Sequence, residues 1–540
     1  MDGASNAILE EPEEYLHNIE EPANNPHSPE SSWRKCNLLS LDGGGIRGYW
    51  SLLALDKLME YIAEAEGKDQ VHHSFTPQDY PENVSQGPFT DEELRKLDEA
   101  DAAEARCCAL NNTRRYLPCH YFDYICGTST GALIAIMLGR FRMTVPDCLK
   151  EYRSLGGEIF GNPRFFTQMR FGLGRRTKYE GEKLKKVFED VTARRSEQGE
   201  SSLSRVTFPF KPGLCKTFVI TMKSEPPKRK VETVYLIRSY DHDQRTTPGS
   251  LPSRKSTWRT TRSNTQVSAN GTIDTRGRET VAFKREINYG NADPYQIWEV
   301  ARAATAAPLY FEPLKIRNHR SEAQSVFMDA GYQYTTNPTE EGALEIEDLY
   351  GKFSIGVVVS VGTARRDEPW GGGIRRNVKT VFNKASNSEV VHNKMRDKAA
   401  NDDFQYYRLN DRDALDIDLD EWKPKPRPFV KDPGSKTINK IENAFGRWAS
   451  RNDIIDQLQK CAAELVNRRK ARATDFAKWE RYAIGAQFRC RFKECERGDF
   501  ANRRDFHNHL VNDHAMQQTE LDQEADFCRK YWRYQKAESR

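Results

Sequence analysis

The stretch Asn37–Ile62, NLLSLDGGGIRGYWSLLALDKLMEYI, sets three consecutive glycines between two apolar runs. NLLSL has the pattern of a short buried strand, and the second run places Leu52, Leu55, Leu58 and Met59 at helical spacing. The glycines Gly43, Gly44 and Gly45 therefore make a strand-to-helix turn. Such a turn presents bare N–H groups at a helix N-terminus, where aligned peptide dipoles favour negative charge. A phosphate would suit it, and so would the oxyanion of an acyl-transfer intermediate. The second needs a nucleophile elsewhere in the chain.

A candidate follows downstream. Gly127-Thr128-Ser129-Thr130-Gly131 lies between the strand candidate HYFDYIC and the helix candidate ALIAIMLGR. That is the setting in which G-x-S-x-G exposes a serine on a sharp turn. The competing readings are a Gly/Ser turn without chemistry and, for Gly43–Gly48, a nucleotide loop, since the glycine run also fits G-x-G-x-x-G; no Walker lysine follows it. YQIWEVARAATAAPLYF and FSIGVVVSVG continue the alternation of helix and strand. The alternation predicts an α/β fold with a mostly parallel sheet covered on both faces.

Only 37% of the 540 residues are hydrophobic, below the usual share of about 45–50%, so polar segments must dilute one packed domain. Residues 1–33 are acidic and rich in Pro, Asn and Ser, and are expected to be disordered. The main domain is expected over 34–422 with inserts near 64–116 and 240–279, followed by a Pro-rich linker at 423–436 and a helical tail over 437–540. In the tail, Ile438, Ile441, Phe445 and Trp448 share one helical face, and Ile454, Leu458, Cys461 and Leu465 another; it is expected to be a distinct unit. The net charge of +4, from 83 basic and 79 acidic residues, is too balanced to argue for nucleic acid or membrane. Eleven cysteines and an acidic N-terminus without an apolar signal core predict a cytoplasmic protein with reduced thiols. The most apolar windows are about half a bilayer span, so membrane contact is expected to be peripheral. In Ile159–Arg176, Phe165, Phe166, Met169 and Phe171 interleave with arginines, as in an interfacial segment or as core aromatics among surface charges.

The DGGGIRG turn, the GTSTG elbow after FDYIC, the run ARAATAAPLYF (Ala301–Phe311) and Asp329-Ala330-Gly331 occur in this order, with VVVSVGT and FQYYRLN later. Together they resemble the patatin-like phospholipase family over roughly Cys36–Trp422. The resemblance implies a three-layer α/β hydrolase with a mostly parallel central sheet, followed here by a small, mainly helical C-terminal module. It implies Ser129 as nucleophile, Asp329 as proton acceptor of a Ser-Asp dyad, and Gly43, Gly44 and Gly45 as oxyanion hole. Asp42, Arg47, Gly48, Gly127, Gly131, Ala330 and Gly331 complete the motifs. The activity implied is phospholipase A-type hydrolysis of glycerolipid esters through an acyl-enzyme, with no catalytic cofactor, at a membrane or lipid-droplet surface. Transacylation would use the same residues, and a lipid-binding protein without catalysis is the reading from another class. The family usually has Asp-Gly-Gly or Asp-Gly-Ala; Ala330 would be strained if its position required φ > 0. His392 lies in a charged stretch, and His242 and His319 precede Asp329, so none suits a third catalytic position, in keeping with a dyad.

The tail carries Cys490-x4-Cys495-x13-His509-x4-His514, close to C2H2 zinc-finger spacing, with Phe488, Phe500 and Phe506 placed for a small core. Two thiolates and two imidazoles suit a tetrahedral Zn2+, with His507 a competing ligand. The alternative is two ordinary thiols and histidines on a solvated helix. One finger reads only about three base pairs, so a structural or protein-binding role is expected and nucleic acid is not. Arg468–Arg472, RRKAR, is expected to be the solvated end of a helix.

Overall fold

In the computed structural model, which describes residues 29–67, 116–161, 177–195, 206–225, 229–242, 288–308, 310–317, 324–365, 388–412, 414–425, 432–492, 495, 497 and 499–530, the run before the glycines is strand β1 (Cys36–Leu41), buried at every position. The N-terminal segment, most of both inserts, residues 162–176 and much of the Pro-rich linker lie outside the described residues.

β1 is central in the sheet. It pairs in parallel with β2 (Tyr124–Thr128) on one side and with β7 (Ile355–Val361) on the other. β3 (Lys216–Glu225) extends the parallel set beyond β2, and β8 (Gln405–Leu409) closes the edge beyond β7. Three antiparallel strands complete the sheet: β4 (Arg229–Arg238) and β6 (Gln324–Asp329) pair with β3, and β5 (Leu314–Arg317) pairs with β6. The central strands are buried at nearly every position and mostly apolar because both faces are covered, with Asn37, Ser40, Thr128 and Ser360 the buried polar exceptions. Alternate residues go to different cores: Leu39, Leu41, Val357 and Val359 to one, Leu38, Cys126, Ile220 and Val358 to the other.

The larger core is capped by α1 (Gly48–Gly67), α2 (Thr130–Ala135), α3 (Val145–Ile159) and α4 (Ile297–Ala304). The opposite face carries α5 (Ala330–Gln333), α6 (Thr339–Tyr350) and α7 (Ser388–Asp402), which contribute Ala330, Ala343, Ile346 and Met395. This is the expected three-layer α/β arrangement.

The tail departs from expectation. α8 (Ser435–Ala449) and α9 (Asn452–Ala473) belong to the main core, not to a separate unit: Ile438, Ile441, Trp448, Leu458, Cys461 and Leu465 are buried together with α1. Trp448 meets Trp50 edge-on at 4.9 Å between ring centres. An amphipathic helix must bury its apolar stripe against something, and α1 supplies the surface. RRKAR is not a solvated end either. Arg469 is buried against Glu66, and Arg472 against Asp123 at 2.8 and 3.0 Å. Beyond α9, α10 (Phe476–Ile484), α11 (Arg503–His514) and α12 (Leu521–Cys528) enclose a small core of their own around Trp479, Phe488, Phe506 and Leu510.

Candidate active site

β3 aligns the two parts of the site. β2 runs parallel to it and ends with Thr128 opposite Ile220; β6 comes from the other direction along the same edge and ends with Asp329 opposite Thr221. Two strand ends therefore meet at consecutive residues of β3, and this brings Ser129 to Asp329.

Ser129 has φ 53° and ψ −128°, an unfavourable conformation for any residue with a Cβ. It is held there by close packing. A Cβ on Gly127 would stand 2.2 Å from the Gly131 carbonyl oxygen, and one on Gly131 2.3 Å from that of Leu41. Both glycines of the pentapeptide are thus required by backbone against backbone, which is what lets the turn be sharp. α2 starts directly after Ser129, in a buried position for every residue of the helix.

Asp329 is buried and caps α5, accepting from the Gly331 N–H at 2.8 Å. Among the described residues its other oxygen, Oδ2, has no partner at hydrogen-bond distance. Burial raises its pKa to about 7, against the opposing pull of the Ser129 hydroxyl and the Gly331 N–H. Ala330 lies within the helical turn and not among the residues with positive φ, so alanine there brings no strain.

The glycine turn lies against the elbow: a Cβ on Gly43 would be 2.9 Å from the Ser129 Cβ. The turn was expected to offer three bare N–H groups, yet two are paired. Gly43 donates to the Thr336 carbonyl at 2.9 Å, and Gly44 to Thr130 Oγ1 at 3.2 Å. Buried N–H groups rarely remain orphaned. The Gly45 N–H, at φ 59°, has no acceptor among the described residues. Gly48 opens α1, where a Cβ would strike the Tyr152 hydroxyl at 2.2 Å.

Several features were not seen in the sequence. The segment Leu415–Trp422 crosses the glycine turn as a strap: Ile46 N–H donates to the Leu419 carbonyl at 2.8 Å, and Arg47 donates to that of Ile417 at 3.2 Å. Leu415 and Ile417 point inward, while Asp416 and Asp418 are exposed and line the cleft over Ser129. The period-two Leu/Asp alternation was the available signal. Phe160, Thr305, Ala307, Tyr310 and Phe311 form the apolar wall of the cleft, so the ARAATAAPLYF run supplies its side. Asp42, buried beside Gly43, is held by both terminal nitrogens of Arg408 at 3.1 and 2.7 Å. Among the described residues no histidine lines the cleft; His392 faces Tyr406, and His242 faces Glu345.

A sequence model of patatin-like phospholipase matches residues 100–342, which include the elbow and Asp329. Over those residues the chain is similar to patatin-like phospholipases. The calcium-independent phospholipase A2-gamma of Oryctolagus cuniculus is 24% identical over 351 residues, 64% of this chain and 37% of the relative. The Homo sapiens protein of the same name is 21% identical over 439 residues, 80% of this chain and 41% of the relative. Phospholipase A I of Arabidopsis thaliana is 22% identical over 264 residues, 45% of this chain and 18% of the relative. The chain therefore spans about two fifths or less of these relatives.

Outside the patatin-like domain's cleft, Cys490, Cys495, His509 and His514 converge, their ligand atoms all within 4.8 Å of one another. Cys490 Sγ is 3.3 Å from His514 Nε2, Cys495 Sγ is 3.5 Å from His509 Nε2, and the two Nε2 atoms are 3.2 Å apart. A tetrahedron with metal–ligand bonds of about 2.0–2.3 Å has edges of roughly 3.3–3.8 Å, so the set fits a metal ion. Asp513 holds His509 Nδ1 at 2.7 Å, turning Nε2 toward the site. His507 is not in the cluster; it faces Asp522. Phe488 stacks on Phe506 at 5.5 Å beneath it.

Proposed function

We propose that the protein is a serine acyl hydrolase of phospholipase A type, acting on glycerolipid esters through Ser129 and Asp329. The observation that carries this reading is the strained conformation of Ser129 on a strand-to-helix turn beside a buried carboxylate. Strain of this kind persists only where the surroundings enforce it, and it clusters at working sites. The names of the relatives support the substrate class.

In the first step Asp329 Oδ2 takes the proton of Ser129 Oγ, and Oγ attacks the ester carbonyl carbon. The carbonyl electron pair moves to oxygen, next to the free Gly45 N–H. The Gly44 N–H joins once it leaves Thr130 Oγ1, a bond of 3.2 Å that costs little to exchange. Collapse of the intermediate expels the alcohol, which receives the proton from Asp329. Water, deprotonated by Asp329, then attacks the acyl carbonyl carbon; the bond to Ser129 Oγ breaks and Oγ receives the proton back from Asp329. A base with pKa near 7 is suited to this traffic, because it both accepts and returns a proton at neutral pH. The apolar wall would hold the acyl chain, and a lipid would enter from a bilayer or droplet surface. Ala330, unstrained, leaves Asp329 well placed and removes the main argument for a protein without catalysis.

The Cys490, Cys495, His509 and His514 set would hold a structural Zn2+, with no part in the reaction. Ligation of this kind supplies ~10–16 kcal/mol of apparent folding free energy in small fingers.

A fluorophosphonate probe tests the main reading. It should label Ser129 in the wild type and nothing at that position in Ser129→Ala. A folded wild-type protein that resists the probe and hydrolyses no ester would overturn it.

A further inference from the structure

A second cavity, of about 330 Å³, lies between α7 and the edge strand β8 and is lined among others by Glu389, His392, Arg396, Tyr406, Arg408 and Arg412. Three guanidinium groups face one carboxylate. His392 registers their field: its pKa is lowered by burial first, and then by Arg408, Arg412 and Arg396, against the opposing pull of Glu389. Its Nδ1 is 3.1 Å from the Tyr406 hydroxyl, with the two rings stacked.

Arg408 is the buried member. Its terminal nitrogens hold Asp42, and one of them also meets Ser360 Oγ at 2.9 Å, but Nε has no acceptor among the described residues. A buried donor left unpaired carries its full desolvation cost. Arg396 and Arg412 are exposed, with side chains 63% and 54% accessible. Arg396 has Asp397 at 3.3 Å, and Arg412 pairs with Glu389, whose other oxygen accepts from Asn410 at 3.2 Å and lies 3.7 Å from Arg408.

We propose that this cavity binds a phosphate-type oxyanion, and that its occupancy is coupled through Arg408 and Asp42 to the glycine turn. Guanidinium forks match phosphate oxygens in pairs, and the orphaned Nε supplies a further donor. Glu389 sets the selectivity: a ligand must carry more than one negative charge to displace it from Arg412, which admits a phosphate monoester or pyrophosphate and rejects a carboxylate. The coupling follows from connectivity. Asp42 is the residue before Gly43, so an anion that fixes the Arg408 guanidinium also fixes the carboxylate it holds. By linkage, a ligand bound in the cleft would tighten the anion by the same factor. The binding claim stands alone; the effect on rate rests on the acyl-hydrolase reading.

The test uses the full chain. Calorimetric titration with inorganic pyrophosphate and with inositol trisphosphate probes soluble ligands. Sedimentation with phosphatidylcholine vesicles, with and without phosphatidylinositol bisphosphate, probes a lipid headgroup. Saturable binding that weakens about tenfold or more in Arg396→Ala/Arg412→Ala, with acetate failing to compete, is the expected result. Neither arginine touches the cleft, and an unchanged melting curve would show that the variant folds. Binding of the soluble probes assigns the site to a free phosphate compound, and binding of vesicles alone assigns it to a lipid. No saturable binding of either kind, or binding that the double variant retains, overturns the proposal. If binding is present but hydrolysis of a soluble ester does not change on saturation, the coupling is wrong. If Ser129 resists the fluorophosphonate while pyrophosphate binds, the acyl-hydrolase reading fails and the anion site stands.

Discussion

Replacing Asp329 by asparagine should abolish ester hydrolysis and, at alkaline pH, make the protein more stable. Burial raises the carboxyl from 3.8 to about 7, roughly three units, and each unit corresponds to about 1.4 kcal/mol. Between those values the folded protein binds a proton that the unfolded chain releases, so stability falls as pH rises through this window and levels off above about 7. The total loss is of order 4 kcal/mol. Asparagine keeps the shape and the acceptor for the Gly331 N–H but never ionises. The variant should therefore melt in urea much like wild type near pH 4, and its advantage should grow toward pH 8 by up to a few kcal/mol. The same titration governs wild-type kcat/KM for a soluble ester, which should rise with pH and reach half its plateau near 7. An advantage independent of pH, or a rate midpoint near 4, would refute the argument that Asp329 is desolvated and acts as the base.

Gly43→Ala should lower hydrolysis by roughly 10²-fold, because the new methyl group would be 2.9 Å from the Ser129 Cβ and 3.0 Å from the Thr128 carbonyl oxygen and would displace the nucleophile; a turnover assay on folded protein checks this. Cys490→Ser with Cys495→Ser should remove about one zinc per chain and open the region around Phe488 and Phe506 to protease. α8 and α9 should stay protected within the main core, and equal cleavage in both regions would contradict that division. Arg472→Ala leaves the carboxylate of Asp123, among the described residues, with only the Asn37 N–H and no cation and should cost about 3–5 kcal/mol in urea unfolding. Arg472→Met with Asp123→Asn should recover part of it, since the carbonyls of Ser32 and Lys35 still lose the guanidinium. His392→Ala should leave hydrolysis within a few-fold of wild type, as a residue outside the cleft.

The sequence showed what depends on local chemistry. β1, β2 and β7 were legible because strands buried on both faces are mostly apolar over short runs, and the elbow glycines because only glycine allows that closeness. The meeting of Ser129 with Asp329 was accessible only through family resemblance: it depends on β6 running antiparallel along β3, and nothing in QSVFMD states its direction. The tail helices were recognised as amphipathic, but a stripe does not name its partner. The reading of Arg468–Arg472 failed for a related reason. Arg469 and Arg472 continue the stripe of Leu458, Cys461 and Leu465 at helical spacing, and arginines on an apolar face are the mark of a buried ion pair as much as of a solvated end. The link from Asp42 to Arg408 joins distant parts of the chain and had no local sign. In the metal cluster the spacing pointed to the two histidines that converge, and the helix α11 turns His507 aside.

The common edge on which β2 and β6 end makes the site an all-or-none reporter of sheet assembly. A slip of one residue by β6 would carry Asp329 about 3.4 Å along β3 and turn its side chain to the opposite face. No half-correct register offers a weakened version of the site, so a misassembled chain would be silent rather than sluggish. In a mixed population, the concentration of reactive serine would then count correctly paired molecules one by one, whatever fraction of the rest had collapsed into compact but misaligned forms.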